Sequence, residues 1–357
     1  MTPLARRLAG EIAAGGPISV AAFMRAALYD PQHGYYATRA ALGADGDFTT
    51  APEVSQIFGE LIGLWLVQVW LDLGAPAPFQ LVELGPGRGV LMADALRAAR
   101  VRPAFLEAAR ITLVEVNPAL RDAQRARLAD HAITHVARLE EAPEGPMLLV
   151  ANEFLDCLPI RQFVRAPGGW REKLVGLDAE GGLCFGLSEP LGRAAPVPPA
   201  LLSSAPEGAV AAIAPELPAL IGAIARRLHA APGRALFIDY GYARADGADT
   251  LQALSRHRKV HPLDAPGEAD LTAHVDFAAL SALATDVGLR VDGPAPQGAF
   301  LTALGAPARA AALTRAHPDR AAMLKAGLDR LIARDQMGDL FLALAMGSPG
   351  APPAPGF

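Results

Sequence analysis

The chain has 357 residues, is 52% hydrophobic, and carries 32 basic against 37 acidic residues for a formal net charge of −5. That length holds one large α/β core plus an insertion, or two modest domains, and mixed charge without a long basic block argues against nucleic acid as the main partner. Arg6, Arg7 and Glu11 among alanines read as neither a signal peptide nor a membrane anchor, while Cys157 and Cys184 offer no metal spacing and no disulfide framework, so a reducing compartment is the simpler reading and no metal is expected.

Residues 1–75 read as a helical region, with helices expected near 3–14, 19–28 and 53–73. Within it, residues 29–60 form a long polar and aromatic connection carrying Tyr35, Tyr36, Asp47, Phe48, Thr49, Thr50, Pro52 and Glu53. Such a loop reads as a lid over a ligand; the plainer alternative is a tyrosine-stapled surface loop, with Thr49 or Thr50, Pro52 and Glu53 opening a helix.

The run LVELGPGRG follows, an apolar strand ending in Glu83 and passing into Gly85, Pro86, Gly87 and Gly89, then the helical segment VLMADALRAAR. Alone it is a turn signal. Its flanks change that, because a second strand, ITLVEVNP, ends in Glu115 and Val116, where an acid can accept the two hydroxyls of a ribose. Two adenosyl-type cofactors stay open: a dinucleotide or S-adenosylmethionine. The G-x-G-x-G spacing with Glu83 in front repels a diphosphate and suits a cationic ligand, which favours S-adenosylmethionine.

ITHVAR then reads as a third strand and PMLLVANEFLDCLP as a fourth, bringing Asn152, Glu153 and Asp156 to the strand end, with a capping role as their alternative. Residues 161–232 read as a β-rich insertion with turns at Pro167–Gly169 and Glu180–Gly182, a Pro/Ala-rich stretch and a helix near 215–230. RALFIDYGY is the fifth strand, carrying Asp239 and Tyr240. In APGEADLTAHVDFAAL, His274 lies between Asp270 and Asp276, with Thr272 or Asp276 expected to cap a helix. LRVDGP and FLALAMG complete the sheet, the last strand antiparallel. The core is thus 76–160 plus 233–347, and the 348–357 tail has too little apolar content to pack and is expected to be disordered.

GYYATRAALGADGDFTTAPEVSQIFGE, VELGPGRG, VEVNPAL, ANEFLDCLPIRQFV, IDYGY and DAPGEADLTAHVDF, taken in this order over nearly the whole chain, resemble the MidA family, the bacterial and mitochondrial relatives of the complex I assembly-factor arginine methyltransferase. The chain departs from the family pattern at Leu155 and Cys157. The resemblance implies an α/β, class I methyltransferase fold: a seven-stranded, mostly parallel sheet with S-adenosyl-L-methionine as cofactor. It implies a protein substrate, the homologue of the 49 kDa subunit of NADH:ubiquinone oxidoreductase (complex I), and symmetric dimethylarginine as product. The location implied is cytoplasmic for a bacterial protein and the mitochondrial matrix for eukaryotic relatives, without stable membrane insertion, and a homodimer stays open. A small-molecule methyltransferase and a non-catalytic assembly protein of the same fold are the alternatives.

On this reading Gly85, Pro86, Gly87 and Gly89 hold the methionine end of the cofactor, with Asn152, Thr50 and Pro52 beside them. Glu83 favours its amine, Glu115 and Val116 take the ribose, and Leu139, within 138–141, borders the adenine. Glu153 is the first choice for localising a lone pair on the acceptor guanidine, with Asp156, Asp239 and His274 supporting it. Tyr35, Tyr36, Tyr240 and the Asp47–Glu53 loop close over the pair.

Overall fold

The computed structural model describes residues 1–38, 50–192, 195–202, 205–255 and 258–357. Its elements begin with helices α1 (Pro3–Gly15), α2 (Val20–Tyr29) and α3 (Gln56–Asp72), then strand β1 (Phe79–Leu84), α4 (Val90–Ala98), β2 (Ala109–Val114), α5 (Pro118–Arg127), β3 (Ile133–Val136) and β4 (Met147–Asn152). After the insertion come α6 (Leu217–Ala230), β5 (Gly233–Tyr242), α7 (Phe277–Asp286), β6 (Arg290–Pro296) and β7 (Phe341–Gly347).

The central sheet runs β3-β2-β1-β4-β5-β7-β6, with Val275–Asp276 adding a short parallel pairing to the end of β5. β1 to β5 pair in parallel and β7 runs antiparallel to both its neighbours, as the sequence led us to expect. Side chains alternate between two cores: Leu81, Leu148, Val150, Leu236 and Ile238 face α3 and α4, while Val82, Leu149, Ala235 and Phe237 face α6 and α7. A sheet buried on both faces explains why these strands read as unbroken apolar runs.

The register carries Glu83 at the end of β1 beside Val150 of β4, and Asn152 beside Ile238 of β5. Strand order reverses between β1 and β4, so the crevice at their carboxyl ends is where an open α/β sheet receives its ligand.

Several expectations are corrected. The helix expected over 53–73 is broken at Ser55, whose extended backbone (φ −160°, ψ 135°) separates the turn Ala51–Val54 from α3 and whose hydroxyl accepts from the Ile57 N–H. The insertion ends before 232, because α6 packs its Ile221, Ile224 and Leu228 into the core. The insertion's sheet comprises Arg161–Ala166, Gly169–Leu177, Leu183–Leu187 and Val210–Ile213, and Ile18–Ser19 joins its edge, so α1 and α2 pack with this sheet rather than with the central one. A three-stranded sheet of Gln252–Ser255, Arg258–Val260 and Asp270–Thr272 was not foreseen; of the two caps expected for α7, Asp276 is the one that serves. Finally, 348–357 is packed: Trp65 Nε1 donates to the Pro355 carbonyl at 3.0 Å, Arg234 donates to the Pro352 carbonyl, and the Phe357 ring lies 5.0 Å from that of Phe300. Composition understated the tail because its backbone carbonyls serve buried donors.

Among the described residues, no helix is long and apolar enough to cross a membrane.

Candidate functional site

Three glycines after β1 take left-handed backbone, Gly85 at φ 61°, Gly87 at 52° and Gly89 at 73°. At Gly85 a Cβ would also stand 2.9 Å from the Phe154 ring, so glycine is required there twice over. Gly89 is the N-cap of α4, whose first-turn residues Val90 and Leu91 reach the same cleft. This cleft is lined by Thr50, Pro52, Glu53, Glu83, the 85–88 loop, Asn152 and Glu153. It therefore joins residues from three parts of the chain.

Three acceptor atoms in its lining are buried without a partner: Glu83 Oε2, Glu53 Oε2 and Asn152 Oδ1. Buried acceptors left unpaired are costly, and they outnumber the one donor of the lining that lacks a hydrogen bond, Arg88 Nε, so the lining favours a ligand bearing donors or positive charge. Burial pushes the Glu83 carboxyl up to about 8. A cationic amine or sulfonium fits this lining; a diphosphate does not.

Glu115 sits just past β2, nearly buried, with the adjoining Val116 59% exposed. Its Oε1 accepts from the Asn117 N–H at 2.8 Å, and Gln124 Nε2 lies 3.4 Å from Oε2. Burial raises its pKa despite these bonds. The Leu139 side chain is buried in the apolar cluster that holds Val82 and Leu84.

Glu153 lines the cleft from the end of β4. It is one of two non-glycine residues among those described with positive φ, at 50°, a costly conformation that tends to persist where surrounding structure enforces it. Its Oε1 accepts from the Ala51 N–H at 2.8 Å and from Asn152 Nδ2 at 3.1 Å. Burial foremost raises its carboxyl to about 7, and the charges of Asp156 and Glu53 push the same way.

The other expected catalytic groups are placed elsewhere. Asp239, 1% exposed, uses Oδ2 to accept from the N–H groups of Phe154, Leu155 and Asp156 and Oδ1 to accept from that of Tyr240. It staples the turn that presents Glu153, and its acceptor capacity is spent on backbone. Asp156 is buried behind the cleft with Oδ2 accepting from the Tyr240 hydroxyl at 2.6 Å, and burial raises it to about 6. Tyr240 is therefore a buried partner of Asp156, not part of a lid. His274 stacks edge-on against Tyr240 at 5.4 Å and lines a separate, largely apolar groove between insertion and core.

Tyr35 is fully buried in the N-terminal core, and Tyr36 donates to Asp270 Oδ1 at 2.8 Å, so neither hangs over the cleft as a free lid. Asp47, Phe48 and Thr49 lie outside the described residues. Thr50 and Pro52 do line the cleft, and Glu53 pairs there with Arg88 at 3.1 Å.

Sequence reasoning missed Arg88, Phe154 and Gln124. Arg88 and Phe154 carried no signal beyond adjacency. Gln124 had one, a polar residue four positions after Leu120 on the inward stripe of α5.

A family profile whose description reads "Putative S-adenosyl-L-methionine-dependent methyltransferase" matches residues 61–295. The mitochondrial protein arginine methyltransferase NDUFAF7 homolog of Drosophila melanogaster is 37% identical, the alignment covering 96% of this chain and 84% of that protein. Protein arginine methyltransferase NDUFAF7, mitochondrial, of Homo sapiens is 34% identical over 97% of this chain and 83% of its own length. A solved structure from Burkholderia thailandensis, a "likely methyl transferase" bound to S-adenosyl-homocysteine, superposes with a TM-score of 0.83 at 30% identity, covering 96% of this chain and 91% of that one.

Proposed function

Since this chain belongs to the family of S-adenosyl-L-methionine-dependent methyltransferases, we propose that it methylates arginine side chains of a protein, with the homologue of the 49 kDa complex I subunit as target and symmetric dimethylarginine as product. The enzyme class and cofactor follow from the family; the substrate is our inference, supported by the names of the relatives and by the acids of the cleft. The observation that carries it is Glu153, a carboxyl that burial raises to about 7 and that lines the same cleft as Glu83 and the glycine loop. The same reading puts the protein in the bacterial cytoplasm, its relatives being labelled mitochondrial.

Bound S-adenosylmethionine supplies an electrophilic methyl group. Gly85, Pro86 and Gly87 would offer backbone to its amino-acid end, Glu83 would pair with its amine, and Glu115 would accept from its ribose hydroxyls. Of these acceptors, Glu83 Oε2 is the one that lacks a partner in the protein alone. Glu153 holds the acceptor guanidinium by charge, favours a lone pair on the reacting nitrogen, and takes the proton that nitrogen releases. The Ala51 N–H and the Asn152 amide fix its Oε1, so the carboxylate keeps one orientation. Asp239 acts at one remove, by shaping the 153–156 turn.

The test is Glu153→Gln, assayed for methyl transfer and, by calorimetry, for S-adenosylhomocysteine binding. We expect transfer to fall by on the order of 10²-fold with binding unchanged. Full turnover with normal binding would remove Glu153 from the mechanism.

A further inference from the structure

We propose that Gln124 is a positioning residue of the cofactor site, its buried carboxamide tying the glycine loop to the ribose-binding acid and setting the orientation of both. The proposal rests on the cofactor assignment above and adds a residue that touches no ligand.

α5 buries only Leu120 and Gln124 of its ten residues, and Gln124 is 0% exposed. Its Nε2 lies 2.6 Å from the Gly87 carbonyl oxygen and 3.4 Å from Glu115 Oε2, and its Oε1 lies 2.7 Å from His135 Nε2. A primary amide has two N–H donors and one carbonyl, and here all three find partners. Burial lowers the His135 pKa, so the ring is neutral near pH 7 and must carry its proton on Nε2 to serve the Gln124 carbonyl. That contact fixes which end of the amide faces the loop.

Two consequences reach the ligand. Glu115 is held on both oxygens, Oε1 by the Asn117 N–H and Oε2 by Gln124, which aims its remaining lone pairs at a vicinal diol. The Gly87 carbonyl is drawn towards α5, and across a trans peptide the following Arg88 N–H then points the other way. Gly89 packs on the same side chain, its ideal Cβ position 3.4 Å from Gln124 Cγ. The charged and titratable groups around the amide are Glu115 and His135 from the strand ends, and Arg121, Asp122, Arg125 and Arg127 from α5.

The experiment is calorimetric titration of the full chain with S-adenosylhomocysteine, using wild type, Gln124→Met and Gln124→Glu at about pH 6 and about pH 8.5, alongside KM for both substrates. Gln124→Met keeps the volume and removes the donors, so affinity should fall about 10-fold or more at both pH values, with KM for the methyl acceptor unchanged. Gln124→Glu sets a second carboxylate against Glu115; its affinity should be lowest at about pH 8.5 and recover about 10-fold at about pH 6, where the pair shares a proton. Wild type should move oppositely, weakening as Glu83 is protonated. Gln124→Met binding within about threefold of wild type, or Gln124→Glu following the wild-type pH trend, would overturn the proposal. Wild type that binds nothing would overturn the cofactor assignment and this proposal with it.

Discussion

At the scale of single residues, Glu83 is the group most at odds with its surroundings when no ligand is present. Its carboxyl rises from 4.5 to about 8 through burial, and Oε2 has no partner. The folded chain therefore holds a proton there that the unfolded chain has lost, so this group's contribution to stability is full below 4.5 and is lost as pH rises to about 8. Glu153 and Asp156, raised to about 7 and about 6, act in the same sense. Glu60, Asp249 and Asp292, with lowered values, contribute stability that is lost only in more acidic solution. Scanning calorimetry should show the ligand-free melting temperature falling from about pH 5 to about pH 8, and the shift produced by S-adenosylhomocysteine growing over the same range. Glu83→Gln should flatten both trends; a ligand shift independent of pH would show that Glu83 does not receive the cation. The placement of Glu83 and Glu153 at the cleft was legible because an acid at a strand end is a local pattern, reinforced for Glu83 by the glycine loop that follows it. Asp239 looked the same in sequence, and only the turn of residues 154–156 onto its carboxylate shows that it serves backbone.

Among the elements, the crossing of α3 and α4 sets the cleft most directly, because α4 starts at Gly89 and carries the end of the loop. An added Cβ at Gly63 would lie 2.4 Å from the Ala95 carbonyl oxygen, and one at Gly59 would lie 2.6 Å from Asp94 Cβ. Four residues apart, these glycines share one face of α3 and let the two helices approach closely. Gly63→Ala must push α4 away, so we expect a loss of about 1–3 kcal/mol in urea denaturation together with weaker cofactor binding. Gly10→Ala in α1, exposed with open space at the Cβ position, is the control and should be neutral or stabilise by up to about 1 kcal/mol. Equal effects at the two positions would sink the close-approach argument. α3 is apolar nearly all round, so its periodicity did not mark this face, and the break at Ser55 was hidden in a continuous apolar pattern. The strands were easier to find, because two-sided burial turned each into an apolar run bounded by turns.

For the whole molecule, the sheet and the position of the cleft followed from strand and motif order, since the point where strand order reverses fixes where a ligand sits. What could not be read were the contacts between distant segments: α1 and α2 joining the insertion, Asp156 withdrawing behind the cleft to Tyr240, and the tail passing under Trp65 and Arg234. Each depends on a partner more than eighty residues away, which no local pattern encodes. Mass spectrometry of the 49 kDa complex I subunit homologue, purified from cells with and without this gene, tests the account most directly. We expect a symmetric dimethylarginine in the subunit from cells that carry the gene and its absence from those that lack it; an identical methylation state in the two would contradict the proposed substrate.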